Sequence, residues 1–580
     1  MARDPSFPRT RHVALSFSER PEEAKAEGAE AILLPIHSAE GEPRAGIPLP
    51  PPVQPGAPGA PAKGDLSSAS SNDALSAGVH STAPQPRELP AVVVVDVSRP
   101  GEDDACRAID ATVAGVRCAS SLEGRDASGA LAARAATLGE AVLLSGLDRW
   151  YALGPLGAGY CRSCELALEE NLRDGYGDHF EPFEVLPLLR DPVLPFAERP
   201  FARAKDALRL SEAVAFGKRA SLRARNEARA KRSLEIAVLG RVGALDAAAL
   251  LLCPHLDGLV FSLPSLDPYD ALLPLQAARA ALGARPAVAL LPRETTPAQA
   301  RLFAAMATAC DCDVVLDGGA SAEARAALLT HRMFLTVVRE RFRPSAPLPD
   351  AELLFSPRCD HWTAGAHGKS SSACMAGLAR AQLQPSVRLA LDGGVRAPLL
   401  VLAGATALSL TDAAAARRFV EGGGDALVIG RCAVIDEEGR PGEPVFASVK
   451  SGLERVGEGR VYALEDAALL PRALRELERR PQINVAGRGR VLARAYLDAE
   501  RKLDVHLVNL DLRDAGVAAA QGVQLSIAGS AAGGGRSGYW FAADREGGRD
   551  GERITLNPSG FSVSTILPSV DAYALLAVPR

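Results

Sequence analysis

Apolar residues in the first 345 positions fall in short continuous runs separated by stretches rich in Ala, Leu and Arg. The runs are His12–Ser16, Ala31–Pro35, Ala91–Val97, Gly115–Ala119, Ala141–Leu147, Leu234–Leu239, Gly258–Leu263, Ala287–Leu291, Asp313–Leu316 and Phe334–Val338. They are continuous rather than alternating, as expected of strands buried on both faces of a parallel sheet. Strand–helix alternation on this scale predicts an α/β architecture, and the number of runs favours a (β/α)8-type barrel over residues 1–345. One segment breaks the pattern. Seven prolines fall between Pro48 and Pro61, and LSSASSNDALSAGVHS follows, so residues 38–89 read as a disordered insert within the barrel.

A second unit, 346–460, carries strand-like runs at Leu353–Ser356, Val387–Leu391, Leu399–Leu402 and Ala426–Ile429. An amphipathic helix, Asp412–Glu421, is capped at Thr411 or Asp412 and stopped by Gly422–Gly424. This predicts a small flavodoxin-like α/β domain. From 461 to 580 the pattern changes again. After a short helix at Glu465–Arg479, short strands split by Gly, Pro and Asn predict an all-β sandwich, with Gly529–Gly538 as a hairpin loop.

Composition narrows the function. The 580 residues carry a net charge of −5, which argues against nucleic acid as a partner. No apolar run is long enough to span a membrane, and the N-terminus lacks the apolar core of a signal peptide, so the expectation is a cytoplasmic protein. Ten irregularly spaced cysteines do not form a disulfide framework. Cys161 and Cys164 form a CxxC, but two thiolates are half of a structural zinc site. Cys118, Cys310, Cys312, His179 and His255 are further ligands only if folding gathers them. The expectation is a chain without bound metal or cofactor. The basic stretch Lys218–Arg232 reads as a solvated helix face and His331 as a packed residue.

Reactive groups of a (β/α)8 barrel lie at the C-terminal ends of its strands. Those ends offer Asp96, Asp148, Arg293 with Glu294, and Asp317, with Asp267 and Asp270 further out in a loop. Glycoside hydrolysis needs two carboxyl groups about 5–10 Å apart. Asp96 and Asp148 are the candidate catalytic pair, and Arg149, Trp150, Arg293 and Glu294 are candidates for sugar binding. The competing reading is structural: a strand-end Asp caps the next helix or pairs with Arg99 or Arg149.

From Cys161 onward, CRSCELALEENLRDGYGD resembles a stretch of glycoside hydrolases related to the β-galactosidase clan. AELLFSPRCDHWTAG and PLLVLAGATALSLTDAAAARRFVEGGGDALVIG are similar to the flavodoxin-like "trimerisation" domain of those enzymes. DVHLVNLDLRD with VSTILPSVDAYALLAV is similar to their closing β-domain. The resemblance implies a barrel, a flavodoxin-like domain that supports homo-oligomers, and a β-sandwich, acting on carbohydrate. The family's glutamates are expected after middle barrel strands, where this chain reads VLGRVG and VFSLPSL. The implied activity is therefore glycoside-hydrolase-like with a degenerate site. The alternatives are a non-catalytic carbohydrate-binding or scaffold protein and, more distantly, an amidotransferase-like enzyme using Cys359.

Overall fold

The computed structural model describes residues 15–16, 31–36, 91–98, 105–107, 113–138, 141–176, 189, 201–233, 235–338, 345–435, 441–487, 489–498, 502–513, 516–543 and 548–579. The insert at 38–89 lies outside these residues.

The first unit is an eight-stranded sheet in chain order. Its strands are β1 (Leu15–Ser16), β2 (Ala31–Ile36), β3 (Ala91–Asp96), β6 (Ala141–Ser145), β7 (Ala237–Val242), β8 (Gly258–Ser262), β9 (Ala287–Leu291) and β10 (Asp313–Leu316). Every ladder is parallel. All five residues of β9 are buried, which is why its sequence runs AVALL without alternation. Val92, Leu143, Leu239, Val260, Leu290 and Val315 meet in one cluster on one face of the sheet. Val93, Val142, Leu144, Val238 and Leu291 face the other way, into the helix-packed core. β1 and β10, at opposite ends of the strand order, come alongside each other.

Two predicted strands are corrected. Gly115–Ala119 overlaps β5 (Val113–Arg117), which pairs antiparallel with β4 (Ala105–Arg107) outside the main sheet. Phe334–Val338 is the last part of a helix, Ala322–Val338, whose apolar side is buried through Phe334 and Val338. A short apolar run alone does not separate a buried strand from a buried helical segment.

The second sheet orders its strands as 385–388, 351–354, 399–403, 425–429, 459–464 and 452–456, with only the last antiparallel. Its helix Leu410–Glu421 starts two residues earlier than predicted. Ser409 is the cap, accepting from the Asp412 N–H, while Asp412 accepts from the Leu391 N–H at 2.7 Å. The last segment supplies five strands of an antiparallel sheet of six, whose edge strand is Ser345–Pro347, and all of a sheet of four, and the two share one core. Strand 503–509 contributes Val505 and Leu507 to it, and strand 524–528 contributes Leu525 and Ile527. Gly529–Gly538 is no hairpin. It holds a helical turn, Gly529–Ala532, and carries the chain from the four-stranded sheet to the six-stranded one.

Candidate functional site

The carboxylates at the strand ends are held by neighbouring groups. Asp96 closes β3. Its Oδ1 accepts from the Ser98 N–H at 3.0 Å and hydroxyl at 2.7 Å, and its Oδ2 pairs with Arg149 at 3.0 Å. Asp148 follows β6 and is buried, and its Oδ2 accepts from the N–H groups of Gly243 and Ala244 at 2.6 and 3.3 Å. It thereby ties the loop after β6 to the loop after β7. Arg293 and Glu294, beyond β9, pair with each other at 3.3 Å on the surface, each more than two-thirds exposed. Trp150, a candidate sugar platform, is 4% exposed, and its indole N–H points at Cys106 Sγ, 3.3 Å away. A ring at that depth packs the interior.

Asp246, which sequence reading passed over, caps the helix Ala247–Leu252 by accepting from the Ala249 N–H. Burial first, and the charge of Asp148 with it, push its carboxyl up to about 7 from an ordinary 3.8. Between those values the unfolded chain has lost a proton that the folded chain keeps. Stability therefore falls as pH rises from about 4 to about 7. Asp246→Asn keeps a capping oxygen and removes the titration. Denaturant midpoints should show the variant gaining on wild type between pH 5 and pH 8, and parallel pH profiles would exclude this assignment.

Folding gathers a second set of groups. Cys106 on β4, Cys118 just past β5, and Cys161 and Cys164 at the start of the helix Arg162–Tyr176 place their sulfurs within 4.8 Å of one another. The separations Cys118–Cys161, Cys118–Cys164, Cys161–Cys164 and Cys106–Cys164 are 3.3, 3.4, 3.5 and 3.9 Å. Four thiolates at about 2.3 Å from zinc stand roughly 3.8 Å apart at the corners of a tetrahedron, so the set fits that ion. The Cys106 thiol is held well below the usual thiol range, chiefly by contact with Cys118, then Cys161 and Cys164. The N–H groups of Trp150 and Gly159 point at the same sulfur, the second at 3.1 Å. The expectation of an incomplete two-thiolate pair is corrected: Cys118 was a candidate third ligand, and Cys106 had no spacing signal. Cys310 and Cys312 lie elsewhere, at the end of the helix Pro297–Ala309, and His255 sits in the turn Cys253–His255. His179 lies outside the described residues.

No protein-family model and no curated protein sequence matches the chain. Solved structures do. The β-galactosidase of Bacillus circulans sp. alkalophilus aligns with a TM-score of 0.61 and 11% identity, over 85% of this chain and 89% of that one. α-L-fucosidase isoenzyme 2 from Paenibacillus thiaminolyticus gives 0.57 and 14%, over 85% and 88%. The β-galactosidase of the psychrophilic Marinomonas ef1 gives 0.55 and 13%, over 85% and 93%. The fold is glycoside-hydrolase-like.

Within this fold, Cys359 is fully buried in the helix Pro357–Trp362, and burial pushes its thiol up to about 12. That environment suits a packed thiol rather than a nucleophile. Its neighbour His361 joins the first two units through a 2.7 Å contact between its Nδ1 and the Tyr151 hydroxyl. His331 is buried against the Thr308 hydroxyl at 3.0 Å. No helix among the described residues is long and apolar enough to cross a membrane.

Proposed function

We propose that the chain is a carbohydrate-binding protein of glycoside-hydrolase type in which hydrolysis is weak or lost. In this reading the eight parallel strands form a (β/α)8 barrel, supported by the single cluster that one face of the sheet encloses. The 385–388, 351–354, 399–403, 425–429, 459–464 order corresponds to 2-1-3-4-5 and supports a flavodoxin-like second unit through which copies of the chain associate. Carbohydrate binds at the C-terminal ends of the barrel strands.

One observation carries the loss of catalysis. A general acid and a nucleophile or base must face the glycosidic bond with their oxygens available. Asp148 is buried under two backbone N–H groups, and Asp96 is engaged by Ser98 and Arg149. Both carboxylates are engaged in holding neighbouring loops. A panel of aryl glycosides should show no turnover above the blank for wild type, Asp96→Asn or Asp148→Asn, with neutral oligosaccharide binding retained. Robust wild-type turnover abolished by Asp148→Asn, with binding intact, would make Asp148 catalytic and defeat the proposal.

A further inference from the structure

A cavity of about 530 Å³ opens where the three units meet. Asp267 and Tyr269 come from the loop after β8, Arg380 and Gln382 from the end of the helix Ala366–Arg380, and Gly489 and Arg490 from the segment entering strand Val491–Asp498. The volume falls within the range of small-ligand sites. It is more than a lone inorganic anion needs.

The lining is built rather than incidental. Asp267 Oδ1 accepts from the Tyr269 N–H at 2.7 Å, and the Asp267 N–H donates to Ser265 Oγ at 2.8 Å, fixing the loop. The Arg380 guanidinium lies over the Tyr269 ring, 4.3 Å from its centroid. Gln382 is held at φ 62° with its amide N–H donating to the Val491 carbonyl, which leaves its amide oxygen as an acceptor. Gly489 has φ 117°, and a Cβ there would stand 2.8 Å from the Ala520 side chain, so only glycine lets the segment pass.

Two arginines and one aspartate line this cavity. Among the described residues neither Arg380 nor Arg490 has an ion-pair partner, and both are exposed. A guanidinium fork matches a carboxylate in shape and charge, whereas amide, phenol and carboxylate groups suit hydroxyls. We propose that this cavity binds an anionic saccharide, its carboxylate taken by Arg380 and Arg490 and its hydroxyls by Asp267 and Gln382. The proposal rests on the carbohydrate reading above and adds a charge class and a second place of binding.

Calorimetric titration of the full chain with trigalacturonate and with neutral galactotriose tests it. Trigalacturonate should bind about tenfold more tightly or better, and Arg490→Gln and Arg380→Gln should each remove that preference without changing galactotriose affinity. Arg490 is exposed and, unlike Arg380, stacks on no ring among the described residues, so its variant keeps the test valid if Arg380→Gln misfolds. Galactotriose binding with no advantage for trigalacturonate would overturn this inference and leave the carbohydrate reading intact. Binding of neither sugar would overturn both. A preference that survives both substitutions, or displacement of trigalacturonate by equimolar inorganic phosphate, would also overturn it.

Discussion

Purified protein is expected to carry about one zinc per chain, lost on replacing Cys106 or Cys118 by Ser as surely as on replacing Cys161 or Cys164. The four sulfurs come from a hairpin, the segment leaving it, and a helix start more than 40 residues later. Without a metal, the fold must hold mutually repelling thiolates or bury their protonated forms. With it, binding energy on the order of 10 kcal/mol becomes folding energy for this corner of the first unit. Chelation should therefore lower the melting temperature and expose the loop after β6 to protease. Trp150→Phe removes an N–H aimed at Cys106 and should weaken metal affinity by roughly tenfold. Metal analysis by mass spectrometry decides the matter. Metal-free protein of unchanged stability in the presence of chelator would show that the thiols merely pack.

Replacing Arg494 by Leu should cost about 3 kcal/mol of stability, read as a lower denaturant midpoint. Arg494 lies on strand 491–498, is 6% exposed, and donates to the Pro385 carbonyl of the second unit at 3.0 Å. With its amide turned to suit its neighbours, Gln276 of the first unit accepts from the same guanidinium at 2.6 Å and donates to the Pro385 carbonyl at 2.8 Å. Leucine would leave the Gln276 oxygen without that donor in the interior, and a buried acceptor stripped of its donor forfeits its hydration with no return. Arg490→Gln, four positions earlier and exposed, should leave the midpoint unchanged. An Arg494→Leu variant as stable as wild type would mean that burying the cation costs as much as its bonds return.

The parallel sheet was legible because strands covered on both faces need apolar residues at every position, as in Ala287–Leu291. The same logic misplaced Phe334–Val338, a helix end on which Phe334 and Val338 are buried while Thr336 and Val337 are exposed, so that an unbroken apolar run there does not report burial on both faces. The site was less legible. Asp148 and Asp96 stand at strand ends as a catalytic pair would, and the pairing of Asp96 with Arg149 follows the competing structural reading, but the backbone partners of Asp148 are set by loops whose meeting no spacing announces. Trp150 reads as a sugar platform by residue type, and only depth shows otherwise. Cys106 was invisible because 58 positions and a hairpin separate it from Cys164.

The apolar interior does not stop at the borders between units. Leu291 and Phe303 of the first, Leu353 and Leu378 of the second, and Tyr573 and Leu575 of the third belong to one continuous core. A chain built this way has no natural seams. Truncation near residue 345 or 460, the usual route to a crystallisable fragment, would lay open a surface evolved never to meet water and trade a folded protein for an aggregate. The three units share apolar contacts that cutting the chain would expose.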